Sequence, residues 1–155
     1  MAYTFDDVLT AVRDSRSHFL KHIEGITAEQ WQWKPHQEAK SIAEIVAHLV
    51  TDDRMALQSL QNGQKPVYRR AQVSERDPAK LLAELHQSHE ALSNYLLEHF
   101  SVTPLDTIVT AWGIKMKLGK AAGHIVAEDY YHAGQAAYIR LATEPDWDYY
   151  ATIYG

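Results

Sequence analysis

Two stretches of the 155-residue chain carry histidines and carboxylates four positions apart: Glu44, His48 and Asp52 in one, His124, Glu128 and His132 in the other. On a helix this spacing stacks side chains one turn above another, so that two of them can reach a single point in space. Such a ladder can ligate a cation or form a buried His–Glu ion pair, and the spacing alone leaves both open. Asp53 and Asp129 stand beside the ladders on the apolar faces. They read as partners for arginines or as acceptors behind the ligands, because an unpaired carboxylate away from water costs several kcal/mol.

Composition narrows the chemistry further. With no cysteine among the residues, a protein thiolate, a disulfide and Cys-ligated zinc are all excluded, and any metal must rest on His, Asp or Glu. Fifteen Lys and Arg against 20 Asp and Glu leave a net charge of −5, which argues against a generally basic nucleic-acid-binding surface. The opening MAYTFDDVLTAV has acids where a secretory leader needs Lys or Arg, and no apolar run approaches the length of a membrane span. A cytoplasmic protein folded as a single domain over 1–155 is therefore expected.

Four long helical periodicities must position these groups. The first runs from about Thr4, with Thr4 and Asp7 at capping-box spacing, to a stop at Gly25, and buries Phe5, Val8, Leu9, Val12, Phe19 and Ile23. A short element follows from Thr27 until Pro35 breaks it. The second long helix begins at Ser41-Ile42-Ala43-Glu44, a Ser-x-x-Glu capping box, and ends near Gly63. The third starts at Asp77-Pro78, an N-cap with proline at the first helical position, and carries the stripe Leu81, Leu82, Leu85, Leu92 and Leu96. Residues 101–116 fit a strand, a loop or an early helical turn equally well. The fourth long helix covers roughly Lys117 to Ala142, with Leu118, Ala121, Ile125, Ala136 and Ile139 inward, and the aromatic tail DWDYYATIYG should pack back onto the bundle.

The wheel sorts the nine histidines. His132 lies on the inward face of the fourth helix with Glu128, and His124 lies at its edge. His18 and His22 fall on the flank that should be solvated, and His36 is in a loop. His89 and His99 land on the apolar stripe of the third helix; His89 is the main rival ligand, although a hydrogen-bonded core histidine is its commoner role. Trp31, Trp33, Trp112 and Trp147 with nine tyrosines imply an aromatic core or pocket lining.

Trp33-Lys34-Pro35 leading to Ser41-Ile42-Ala43-Glu44-Ile45-Val46-Ala47-His48-Leu49, followed downstream by His124-Ile125-Val126-Ala127-Glu128-Asp129-Tyr130-Tyr131-His132-Ala133-Gly134-Gln135, resembles the DinB/YfiT-like superfamily of metalloenzymes over essentially the whole chain. The resemblance implies an all-α four-helix bundle, a homodimer, and a divalent metal, zinc or nickel foremost. In that family the metal sits on one histidine of the second long helix and two histidines four apart on the fourth. His48 and His132 match the outer ligands, and the middle one falls on Glu128. That departure widens the choice of metal to iron or manganese and leaves His124 as a substitute ligand. The resemblance further implies an unidentified small-molecule substrate, handled by metal-assisted hydrolysis or by transfer with a low-molecular-weight thiol as cosubstrate. Asp52, Asp129 and Gln135 are candidates to orient the imidazoles. The contrasting reading is a non-catalytic, stress-related bundle with a hydrogen-bonded interior.

Overall fold

The computed structural model describes residues 3–155. Its elements in chain order are α1 (Phe5–Ile23), α2 (Ala28–Gln32), α3 (Ile42–Asn62), α4 (Tyr68–Ala71), α5 (Pro78–Phe100), β1 (Ile108–Ala111), β2 (Ile114–Lys117), α6 (Leu118–Thr143) and α7 (Tyr149–Tyr154). The four long helices α1, α3, α5 and α6 form an all-α bundle to which one small hairpin and three short helices are attached. No described helix is long and apolar enough to cross a membrane.

Local chemistry sets the helix starts. Reciprocal capping boxes close α1 on Thr4/Asp7, α2 on Thr27/Gln30 and α3 on Ser41/Glu44, each satisfying two otherwise orphaned backbone groups. Asp77 caps α5, where Pro78 occupies the first turn without losing a hydrogen bond. At the end of α3, Gly63 takes the left-handed conformation and donates its N–H to Ser59 O.

The segment 101–116 contains the first strand and turn of a hairpin, in which Ile108 pairs with Lys117 and Ala111 with Ile114. Its two-residue turn is Trp112-Gly113, with φ of 51° and 78°, matching the type I′ geometry that suits the twist of antiparallel strands. The Gly113 N–H donates to Ser59 Oγ at 2.8 Å, and a side chain there would meet the Lys65 Cα at 2.9 Å. The hairpin is thereby seated against the end of α3, with Trp112 turned toward the bundle.

Two apolar clusters fill the interior. One joins Phe19 and Ile23 of α1, Ile42 to Val50 of α3, Leu81 and Leu85 of α5, and Ala133 to Ile139 of α6. The other joins Phe5 to Val12, Ala56, Leu92 and Leu96, and Leu118 to Ile125. On every long helix the residues between the two clusters are polar and buried: Ser15 and Arg16, Asp53, Ser88 and His89, and Asp129. Arg16 forks onto Asp53 through Nη1 and Nη2 at 3.0 and 3.1 Å, and its Nε donates to Asp129 Oδ1 at 2.8 Å. The remaining carboxylate oxygens are filled too, by Ser88 Oγ on Asp53 and Ser15 Oγ on Asp129, each at 2.8 Å. Burial by itself would drive the guanidinium toward its neutral form, but the two aspartates raise its pKa above the ordinary value, so it stays charged.

Two histidines depart from the helical wheel. His22 is 1% exposed, because the tail folds back over the flank of α1 and sets Trp147 and Tyr149 against its ring at 6.4 and 5.8 Å. Trp147 is itself held beneath the Arg140 guanidinium, 4.5 Å from the ring centroid. His99 is exposed, at the end of α5 where the stripe leaves the bundle, and stacks on Tyr95 at 4.0 Å.

Breaking one partner of the buried layer strands the others. Arg16→Met should lower stability by about 3–5 kcal/mol in urea denaturation, and adding Asp53→Asn with Asp129→Asn should recover part of that loss. Equal stability of wild type and Arg16→Met would show that the layer does not hold the bundle together.

Candidate metal centre

The ladders on α3 and α6 meet where the two helices face one another across the bundle. Ser41 caps the start of α3, whose packing turns His48 toward Glu128 and His132 of α6. On α6 the four-residue spacing brings Glu128 and His132 to the same place. His48 Nε2 and His132 Nε2 each lie 3.4 Å from the same carboxylate oxygen, Glu128 Oε2, and the two imidazoles are 5.0 Å apart between centroids. One ligand atom from each of His48, Glu128 and His132 falls within 4.8 Å of the others, a grouping able to hold a metal ion.

The spacings are informative. At 3.4 Å the two N···O contacts exceed the 2.9–3.0 Å of an ordinary N–H···O hydrogen bond. Ligand atoms about 2.0–2.1 Å from a tetrahedral zinc lie about 3.4 Å from one another. The two pairs that share Glu128 Oε2 therefore have the separation of ligands on a small divalent cation, and the donor types suit one as well.

His132 is the best prepared of the three. Its Nδ1 is 2.7 Å from Gln135 Oε1, and since that oxygen can only accept, Nδ1 carries the proton and Nε2 keeps its lone pair facing Glu128. Burial, partly opposed by the Gln135 hydrogen bond, lowers the His132 pKa and favours the neutral ring a ligand must be.

A sequence profile of the DinB superfamily matches residues 11–136, from α1 into α6 and across all three of these residues. The chain belongs to the DinB superfamily. No curated protein matches it significantly.

Around this DinB site the other expected groups divide. His124 Nε2 is 3.8 Å from the second Glu128 oxygen, Oε1, with its ring edge-on to Trp112 at 4.8 Å; it stands at the rim. Asp52 does not bond either imidazole. It accepts the Trp112 Nε1 proton at 2.8 Å, and burial, reinforced by the charge of Glu128, pushes it up to about 6. Asp129 is engaged by Arg16 and Ser15, so of the three residues expected to orient imidazoles only Gln135 does so. Glu44, the first rung of the α3 ladder, is occupied by Lys34 and by its own cap.

The rival histidine is elsewhere. His89 lies in the α5 part of the polar layer, outside the His48, Glu128 and His132 grouping, and neither ring nitrogen has a hydrogen-bond partner among the described residues. The expectation of a satisfied core histidine is corrected in that respect: the layer's acceptors are already taken by Arg16 and the serines. Trp112 is the contributor that sequence reasoning passed over as one of several aromatic residues. The signal was present in Trp112-Gly113 between the apolar-rich IVTA and IKMK, a hairpin pattern.

Burial, with a smaller push from Arg16, lowers the His89 pKa to about 4. An unfolded histidine takes up its proton near pH 6.5, whereas the native one resists until about 4. Native stability should accordingly fall as pH drops through this window, by up to about 3 kcal/mol from this residue. Stability of His89→Leu, followed by urea denaturation from pH 7 to 4, should decline less than that of wild type; parallel curves would remove the assignment.

Proposed function

We propose that this DinB protein binds a divalent metal ion on His48 Nε2, Glu128 Oε2 and His132 Nε2, between α3 and α6, and acts on a small molecule as a metal-dependent enzyme. The observation that carries this is the pair of 3.4 Å spacings converging on one carboxylate oxygen, too long for good hydrogen bonds and right for ligands sharing a cation. Two imidazoles and one carboxylate suit zinc or nickel, and also iron or manganese.

When bound, such a metal supplies Lewis acidity, polarising a carbonyl or lowering the pKa of a coordinated water or thiol. The chain's own contribution is positional. Gln135 holds the His132 tautomer, the half-buried Glu128 offers a second oxygen toward His124, and Asp52 stands close by with its carboxylate oriented by Trp112. With no cysteine in the chain, a transferase reaction would draw its sulfur from a low-molecular-weight thiol cosubstrate, while hydrolysis would need water alone. We extend the proposal to a homodimer, as the family resemblance implies, and to the cytoplasm, as the acidic opening residues and the want of a membrane-length apolar run suggest.

A second reading has its own observation. Glu128 has imidazole nitrogens at 3.4, 3.4 and 3.8 Å, and a carboxylate among three histidines can be balanced by a shared proton without any metal. The protein would then be a non-catalytic binding module.

Metal analysis of protein purified without a histidine tag separates the two. Near-stoichiometric metal, lost in His48→Ala and in His132→Ala, is expected; a metal-free protein whose melting temperature ignores added zinc, nickel, iron and manganese would leave the second reading. Gln135→Leu should weaken metal affinity by about 10- to 100-fold by freeing the His132 ring. Glu128→His should shift preference toward softer metals in competition titrations, an effect absent if Glu128 is not a ligand.

A further inference from the structure

A cleft of about 380 Å³ opens in front of His48, bordered by α3, α4 and the segment that follows α4. Its walls include His48 and Asp52 together with Lys40, Glu44, Tyr68 and Arg76. The volume falls in the range of small-molecule sites.

The charges of this cleft are unevenly spent. Glu44 already accepts from the Lys34 ammonium and from the Ser41 N–H, at 2.8 Å in each case. Asp52 is turned to Trp112. The two cations, by contrast, have no carboxylate partner within ion-pair distance among the described residues, although Arg54 nearby is paired with Glu84 at 2.9 Å. The Arg76 guanidinium meets only backbone carbonyls, Glu75 O at 2.6 Å and Val73 O at 3.5 Å. Lys40 also borders the adjoining cleft of about 540 Å³, whose wall includes Gln135, the residue holding His132. Both cations are solvent-exposed. In a chain with net charge −5, two uncommitted cations beside His48 make a local field that attracts anions against the overall charge.

We infer that the substrate carries a carboxylate that Arg76 and Lys40 hold at the cleft wall while its other end reaches the metal site at His48. Arg76 offers the planar fork that matches a carboxylate, Lys40 adds a second charge, and Tyr68 lines the same cleft. This rests on the metal reading above and adds to it the class of substrate.

The probes are the dicarboxylates from succinate to suberate, each with its diamide, titrated calorimetrically into the zinc-loaded full-length protein after zinc uptake has itself been measured. One or more dicarboxylates should bind at least about tenfold more tightly than the matching diamide. Arg76→Gln and Lys40→Gln should each weaken that binding by about three- to tenfold while zinc affinity is unchanged. If every dicarboxylate binds no better than its diamide, or if neither substitution weakens a dicarboxylate that does bind, the inference is overturned while the metal site stands. If the protein takes up no zinc, nickel, iron or manganese, the metal reading falls and this inference falls with it; the uptake measurement distinguishes that failure from the previous one.

Discussion

Arg16 is the interaction on which the rest of the structure depends. One guanidinium at the middle of α1 reaches α3 through Asp53 and α6 through Asp129, and Ser88 of α5 completes the Asp53 oxygens. A single charge thus touches or indirectly engages all four long helices at one level. Apolar stripes make bundles compact, but they tolerate sliding and rotation because their attraction has little direction. A buried bidentate pair has direction: moving a helix by a turn would leave two charges away from water without partners. The layer sits between two apolar clusters, so it also fixes the register of one relative to the other.

This layer bears on the candidate metal centre through adjacency in the chain. Asp53 follows Asp52, and Asp129 follows Glu128. On α6 Asp129 points into the Arg16 layer while Glu128 points toward the His48 and His132 rings; on α3 Asp53 points into the layer while Asp52 points toward Trp112. Consecutive residues on a helix diverge by about 100°, so fixing one direction fixes the other. The precision that such a three-residue site demands is thus borrowed from a structural ion pair and does not have to be built by His48, Glu128 and His132 themselves. The hairpin contributes from outside, where Trp112 ties Asp52 and packs on His124.

Much of this was legible in the chain. The capping signals at Thr4, Ser41 and Asp77 mark three helix starts within a residue or so, since they depend only on neighbours in sequence. The His48, Glu128 and His132 grouping was legible from four-residue spacing joined to the family resemblance, neither of which alone brings α3 to α6. Arg16 was overlooked although it stands four after Val12 and three before Phe19, on the buried stripe, because an arginine is by default a surface residue. His22 was misplaced for a different reason. The wheel of α1 gives its own apolar face correctly, but it contains nothing about a tail arriving from more than 120 residues away.

The sequence by itself determined where the helices begin, which faces are apolar, and which residue types are available for metal chemistry, because these follow from backbone capping, periodicity and side-chain chemistry at short range. Only the tertiary structure decided which of the nine histidines share a carboxylate, which aspartates are spent on Arg16, and which cations are left beside His48. Those outcomes turn on distances of a few ångströms between segments far apart in the chain. Such distances are set by the joint packing of four helices around one buried charge.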